Sequence, residues 1–218
     1  MTAHLLRKAE RLLEDGPQPA GEVARRVLGL QGPSPLLERA VDSLLGPDSR
    51  FRVEEGQWSF TDSFPPAPSP ESPLSALGWA VVDVETTGGS HGGADRITEV
   101  AIVAVEEGRI SDRWSSLVNP RRPIPQRICS LTGITDEMVA RAPEFHQLVP
   151  EVEARLAGRV FVAHNASFDW GFIRSELLRA TGDVPELPRL CTVKVGRRLV
   201  PESPRHSLDA LSEHLGIG

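Results

Sequence analysis

Only two cysteines, Cys129 and Cys191, stand in a chain of 218 residues. Two thiols build neither a disulfide framework nor a four-thiolate zinc site, so the expectation is a pair of reduced, partly buried cysteines in a cytoplasmic protein. Long apolar runs are missing as well. The longest span a handful of residues, far short of the roughly 20 that cross a bilayer, and no membrane partner is expected. Met1–Glu10 mixes Arg7, Lys8 and Glu10 among its leucines, unlike the basic-then-apolar opening of an export signal. Lysine is scarce: of 24 basic residues only Lys8 and Lys194 are lysines, a bias that nothing in the sequence explains. The formal net charge of −6 argues against a broad surface that coats nucleic acid, whose signature is basic. It leaves room for an enzyme that grips one strand end through metal ions.

What is present is the composition of a folded protein. Hydrophobic residues make up 39% and charged residues 25%, ordinary shares that exclude disorder along the whole chain. The length fits one large domain or two small ones. The boundary is plainest at Pro65-Pro66-Ala67-Pro68-Ser69-Pro70-Glu71-Ser72-Pro73. Its prolines block helix and sheet hydrogen bonding alike, which predicts an extended, solvated spacer of about 3.1 Å per residue. The expected organisation is a domain over 1–62, a Pro-rich linker over 63–76 and a second domain over 77–218.

The first part reads as three short helices and a hairpin. Leu5, Leu6, Ala9, Leu12 and Leu13 share one helical face, and Asp15-Gly16-Pro17 stops that helix. Val23, Ala24, Val27 and Leu28 form a second stripe; Leu36, Leu37, Ala40, Val41, Leu44 and Leu45 form a third. Phe51 and Val53, then Trp58 and Phe60, alternate with polar residues around Glu54-Glu55-Gly56-Gln57, the pattern of a two-stranded ribbon. In this order the elements resemble a winged helix, which often reads DNA with its third helix. That helix, roughly 35–45, carries only Arg39 against Glu38 and Asp42, while Arg25, Arg26, Arg50 and Arg52 are available for a local basic patch. DNA contact and a protein-docking or structural role both remain open.

The second part opens with Trp79-Ala80-Val81-Val82-Asp83-Val84-Glu85-Thr86-Thr87-Gly88. The apolar run predicts a buried strand. Residues i and i+2 of a strand face the same way, so Asp83 and Glu85 project together. Two carboxylates close enough to repel are a natural seat for a hard divalent cation. A second strand, Val160–Ala163, leads through His164-Asn165-Ala166-Ser167-Phe168-Asp169 into a helix over roughly 168–180, with Phe172, Ile173, Leu177 and Leu178 inward. Asp169 falls in its first turn, where free amides and the helix dipole favour a carboxylate.

Asp83-Val84-Glu85-Thr86-Thr87-Gly88 and His164-Asn165-Ala166-Ser167-Phe168-Asp169 resemble the first two motifs of the DEDDh 3′–5′ exonucleases. By motif the segment is most similar to the proofreading epsilon subunits of bacterial DNA polymerase III. Leu131-Thr132-Gly133-Ile134-Thr135 matches a loop and helix start common in that family. The resemblance covers about 77–218 and implies an α/β fold: an RNase H-like mixed sheet flanked by helices, with strands near 79–84, 97–106, 110–118, 160–163 and 190–192. The small winged-helix-like α+β domain precedes it. Asp83, Glu85 and Asp169 would bind two Mg²⁺ or Mn²⁺ ions, and water attack on the terminal phosphodiester would release nucleoside 5′-monophosphates. Val84, Thr86, Thr87, His164, Asn165 and Phe168 would line the substrate cleft. Implied partners are single-stranded or frayed DNA 3′ ends and, from resemblance alone, DNA polymerase III subunits.

The family's third motif, a further His-x-x-x-x-Asp on a late helix, does not follow the second motif in these residues. Five positions after His206 stands Leu211. The segment His206–Gly216 instead resembles the helix that precedes that motif, with Leu208, Leu211 and Leu215 as its buried stripe and Asp209 on its surface. The expectation is a fragment of a longer chain, weakly active or inactive by itself, since loss of a general base costs on the order of 10²–10⁴ in rate. An RNA-trimming exonuclease and a non-catalytic binding module on a nuclease fold are the alternatives.

Overall fold

A computed structural model describes residues 2–48, 50–61 and 71–217, with side chains described from Leu5 onward. Most of the expected Pro-rich linker lies outside the described residues. Two compact units emerge: Met1–Pro66 with Thr181–Pro185, and Ala67–Ala180 with Glu186–Gly218.

In the first unit, α1 (Thr2–Glu14), β1 (Gln18–Pro19), α2 (Ala20–Val23), α3 (Ser34–Leu45), β2 (Phe51–Glu54) and β3 (Gln57–Phe60) follow one another, with a wider helical turn over Ala24–Leu28 after α2. The strands form an antiparallel sheet in the order β1-β3-β2. The β2–β3 turn is tight because Glu55 and Gly56 both adopt positive φ, 51° and 76°, the conformation that matches the twist of the flanking strands. β1 escapes sequence reading because two residues, one a proline, show no alternation. Ala9, Leu12, Leu13, Val23, Val27, Val41, Leu45, Phe51 and Trp58 make the core.

Three expectations for this unit need correction. Leu36 is 63% exposed and Val53 49%. Leu36 sits a helical step away from the stripe that Val41 and Leu45 bury, and Val53 lies beside the hairpin turn, at the edge of the packed face. The arginine patch is also neutralised from within. Arg25 and Arg26 pair with Glu22, Arg50 with Glu10 and Asp48, and Arg52 with Glu54.

The second unit is built on β4 (Gly78–Thr86), β5 (Ile97–Glu106), β6 (Arg109–Leu117), β7 (Arg159–Ala163) and β8 (Arg189–Cys191). They form one sheet in the order β6-β5-β4-β7-β8, antiparallel among β6, β5 and β4 and parallel among β4, β7 and β8. Between β6 and β7 run α4 (Gln126–Thr132), α5 (Asp136–Val139) and α6 (Phe145–Leu156); α7 (Ala166–Thr181) joins β7 to β8, and α8 (Thr192–Leu199) and α9 (Leu208–Leu215) follow. One sheet face carries Ala80, Val82, Val84, Val100, Ile102, Ala104 and Phe161, each at most 5% exposed. Trp170 of α7 meets Phe161 edge-on at 5.2 Å. The other face carries Val81, Asp83 and Glu85, and Val81 is 41% exposed although it sits on the central strand. That face is open beside the carboxylates.

The motif around Gly133 has a local reason. Gly133 ends α4 in the left-handed conformation (φ 76°), Ile134 turns into a small apolar cluster, and the Thr135 side chain caps α5 by accepting from the Met138 amide. Along α7, Phe172, Ile173 and Leu177 are fully buried, but Leu178 is 45% exposed. The stripe expected for α9 also fails: Leu208 and Leu215 are 58% and 53% exposed, and only Leu211 is buried. Leu211 packs on Gly196 of α8, where a Cβ would come within 2.9 Å of it. One turn of α9 makes that contact, which leaves its neighbours on the stripe uncovered.

Candidate active site

Strand alternation sets Asp83 and Glu85 on the open face of β4, as the sequence predicts. The third carboxylate arrives through the β7–α7 turn. Asn165 takes a positive φ of 74° there, a conformation an Asn tolerates better than most residues, and α7 starts at once. Asp169 lies in its first turn, 3% exposed, and its Oδ1 accepts the backbone N–H of Val84 at 3.2 Å. The side chain from α7 is thereby fastened to the strand residue between Asp83 and Glu85.

The three carboxylates act on one another through their charges. Burial chiefly, then the charges of Asp83 and Glu85, push the Asp169 carboxyl up to about 6, although its own amide and that of Val84 pull the other way. Burial, Asp83 and Glu99 likewise raise Glu85 above the usual carboxylate range. Among the described residues no cation contributes to either balance. Such an all-oxygen, uncompensated acidic set suits a hard divalent ion. No three His, Cys, Asp or Glu side chains among the described residues form a ready metal cage. Mg²⁺ is ordinarily held by one or two carboxylates with water and substrate phosphate, so the donors fit it nonetheless.

The two threonines after Glu85 are buried, 6% and 1% exposed. The register shifts between Glu85 and Thr86, and the turn that follows is tied from within. Thr86 Oγ1 donates to the Gly88 carbonyl at 2.6 Å, Thr87 N to Arg96 O at 2.8 Å, and Arg96 N to Thr87 Oγ1 at 3.1 Å. Their hydroxyls thus shape the turn. Arg96 also reaches across to α7, where Nε and Nη2 bind the two carboxylate oxygens of Glu176 at 2.5 and 2.8 Å. Glu176 is 2% exposed and stands seven residues, two helical turns, beyond Asp169. One arginine therefore braces the strand end that follows Glu85 to the helix that carries Asp169. Sequence reading misses this pair, because nothing marks which of 22 arginines meets which acid across eighty residues.

His164 is half-buried, with Nδ1 2.9 Å from the Thr192 hydroxyl, which in turn reaches the Ala163 carbonyl at 3.5 Å. Asn165 is exposed and accepts from Ser167, while half-buried Phe168 leans on Phe172 with ring centroids 5.0 Å apart. Cys191, which begins the turn into α8, sits among backbone amides from both helix starts. Burial opposes its ionisation, but the N–H groups of Lys194, Ala166, Asn165 and Val193 outweigh it and hold the thiol below its ordinary value.

The model of the exonuclease family, of RNase T type, matches residues 80–218. The chain belongs to that exonuclease family. Its exonuclease domain is 41% identical over 139 residues to the 3′-5′ exonuclease DinG of Bacillus subtilis (strain 168), a match covering 64% of this chain and 15% of the relative. It is also 41% identical over 150 residues to a DNA polymerase III subunit epsilon-like protein of Rhodobacter capsulatus, covering 67% of this chain and 21% of that one. The chain thus spans a small part of the relatives it matches. Among solved structures, exonuclease X in complex with 5′ overhanging duplex DNA superposes with a TM-score of 0.50 at 34% identity, covering 63% of this chain and 73% of that one. These likenesses accord with the mixed five-stranded sheet and its flanking helices. Among the described residues no helix is long and apolar enough to cross a membrane.

Proposed function

We propose that this exonuclease domain removes nucleotides one at a time from DNA 3′ ends by divalent-metal-dependent hydrolysis, releasing nucleoside 5′-monophosphates. The observation that carries the reading is Asp169, in the first turn of α7, fastened to the Val84 amide between Asp83 and Glu85 and coupled to their charges, with no cation among the described residues to offset them. Asp83, Glu85 and Asp169 would hold two Mg²⁺ or Mn²⁺ ions, which when bound neutralise charge at the scissile phosphate and make water a better nucleophile. Val84 serves through its amide, which orients the Asp169 carboxylate. The backbone of Thr86 and Thr87, in a turn stiffened by their own hydroxyls, borders the terminal nucleotide. His164, with Nδ1 held by Thr192, lines the cleft together with Asn165 and Phe168.

The setting this reading implies is the cytoplasm, at single-stranded or frayed 3′ ends during replication proofreading or repair, with DNA polymerase III subunits as candidate partners. The domain organisation follows the same reading: a winged-helix-like domain over 1–62, a Pro-rich linker over 63–76 and the exonuclease domain over 77–218. Since no His-x-x-x-x-Asp follows the His164–Asp169 segment in these 218 residues, slow turnover is the expectation for them.

The test is digestion of 5′-labelled single-stranded DNA by the purified chain in Mn²⁺, beside RNA of the same sequence. Slow shortening from the 3′ end, one nucleotide per step, is expected. Asp83→Ala is expected to remove several kcal/mol of transition-state stabilisation, a rate loss on the order of 10³-fold. Internal cleavage, or digestion that survives Asp83→Ala, overturns the reading; digestion of RNA alone moves it to RNA trimming. Mn²⁺ binding followed by electron paramagnetic resonance, lost in Asp169→Ala, checks the metal role without relying on turnover.

A further inference from the structure

The sharpest departure from the chain's acidic balance lies on α8. Between Glu186 and Glu202 the sequence holds no acid and four bases, Arg189, Lys194, Arg197 and Arg198, in a chain of net charge −6. Lys194, Arg197 and Arg198 stand at i, i+3 and i+4 on one helical face, all exposed. Among the described residues no carboxylate pairs with any of the three. Elsewhere in the second unit Arg96, Arg122, Arg155 and Arg159 are each met by an acid. The helix dipole accounts for Arg197 and Arg198 in the last turn of α8. It does not account for Lys194, which stands in the first turn, where a positive charge is disfavoured.

Position supplies the ligand. α8 leaves the carboxyl end of β8, which runs parallel to β7 and β4, so it starts at the edge where the three carboxylates gather. Its first residue, Thr192, bonds His164, and the amides of Lys194 and Val193 converge with those of Asn165 and Ala166 on the Cys191 sulfur. The starts of α7 and α8 are therefore adjacent, and Asp169 lies within the first turn of α7. From Lys194 to Arg198 the bases extend about 6 Å along the helix. Three unpaired cations beside a site that is itself strongly acidic point to an extended polyanion held outside that site.

We propose that the Lys194, Arg197 and Arg198 face of α8 binds the phosphodiester backbone of the substrate strand, upstream of the terminal nucleotide. The inference rests on the exonuclease reading above. It divides the work: the carboxylates take the scissile phosphate, and α8 holds the strand that feeds it.

The test compares the chain with Lys194→Gln/Arg197→Gln/Arg198→Gln and with a control, Arg109→Gln/Arg113→Gln, on β6. Binding of a short 5′-fluorescein-labelled single-stranded DNA is followed by anisotropy in Ca²⁺ across about 50 to 200 mM salt. Circular dichroism checks that each variant is folded. The α8 variant is expected to bind about tenfold or more weakly, with the log K against log salt slope reduced in magnitude by about 2, and the control to bind within about twofold of the parent. Equal affinity and slope for parent and α8 variant overturn the proposal. So does a control as weak as the α8 variant, which would reduce the effect to net charge, and so does a parent that binds no DNA. Hydrolysis of thymidine 5′-monophosphate p-nitrophenyl ester in Mn²⁺, a probe no longer than one nucleotide, is expected to be the same in all three. If the parent cleaves it and the binding result is negative, only the α8 proposal falls. A parent that hydrolyses neither the ester nor DNA ends sinks the exonuclease reading itself.

Discussion

The two units treat charge in opposite ways. In the first, Arg50 is drawn into the fold between Glu10 and Asp48, and Arg25 and Arg26 close on Glu22. Burial works against the Asp48 carboxylate, but hydrogen bonds and charge from Arg50 prevail and hold it below its usual range. In the second, three acids crowd together with no cation among the described residues to relieve them, and three bases on α8 stand without an acid. Paired charge there lies elsewhere, in Arg96–Glu176, Arg155–Asp112 and Arg159–Glu106 among others. Ion pairs within a fold roughly cancel desolvation against attraction. Charges left unsatisfied cost stability, and such costs persist where a ligand supplies the missing partner. The contrast separates a unit whose charges serve its own fold from one whose charges await something else.

Breaking the brace is expected to have the largest effect on stability. Arg96→Ala leaves the carboxylate of Glu176, 2% exposed, with the more distant Arg179 at 3.4 Å as its one cation among the described residues. A loss of about 3 kcal/mol is expected in urea denaturation. Arg96→Lys should recover part of it, because lysine restores the charge without the two-pronged geometry. A loss below about 1 kcal/mol would show that the pair is no brace.

Next comes a gain. The Asp169 carboxyl is raised to about 6 from an ordinary 3.8, so the folded state binds its proton more tightly than the unfolded one. Its ionisation therefore costs nothing below about pH 4, and the cost grows to its full size above about pH 6. In EDTA, Asp169→Asn should stabilise the protein by on the order of 2 kcal/mol at neutral pH and by little at pH 4, while losing metal binding. A neutral-pH melting temperature below that of the parent would mean the acid cluster carries no such penalty.

The smallest effect belongs to the first unit. Leu36 is 63% exposed on α3, and Leu36→Ser is expected to change stability by less than about 0.5 kcal/mol. A larger loss would show that this helix face is covered in solution.

Much of the second unit was legible because its signals are local. Alternation in β4 put Asp83 and Glu85 together, and the strand–turn–helix pattern at His164–Asp169 put the third acid in a first helical turn. Family resemblance then joined two motifs some eighty residues apart. In the first unit the helix stripes and the ribbon were readable, but β1 was too short to show a period. Misreadings came where a stripe of leucines has no partner: Leu36, Leu178, Leu208 and Leu215 fit a helical face, yet a face is buried only where another element lies on it. Sequence reading assigns Thr86 and Thr87 to the cleft and gives no sign that they are the buried ties of their own turn.

By itself the sequence showed the motifs that resemble the family, the five strands of the large sheet, and the placing of Asp83 and Glu85 on one strand and Asp169 at a helix start, since these rest on residue type and short-range spacing. Tertiary structure alone decided which charges are satisfied. Whether Arg50 meets Glu10, Arg96 meets Glu176, or Lys194 meets no acid depends on which distant segments the sheet brings together. Attraction between side chains acts over a few ångströms, and only the folded chain determines those distances.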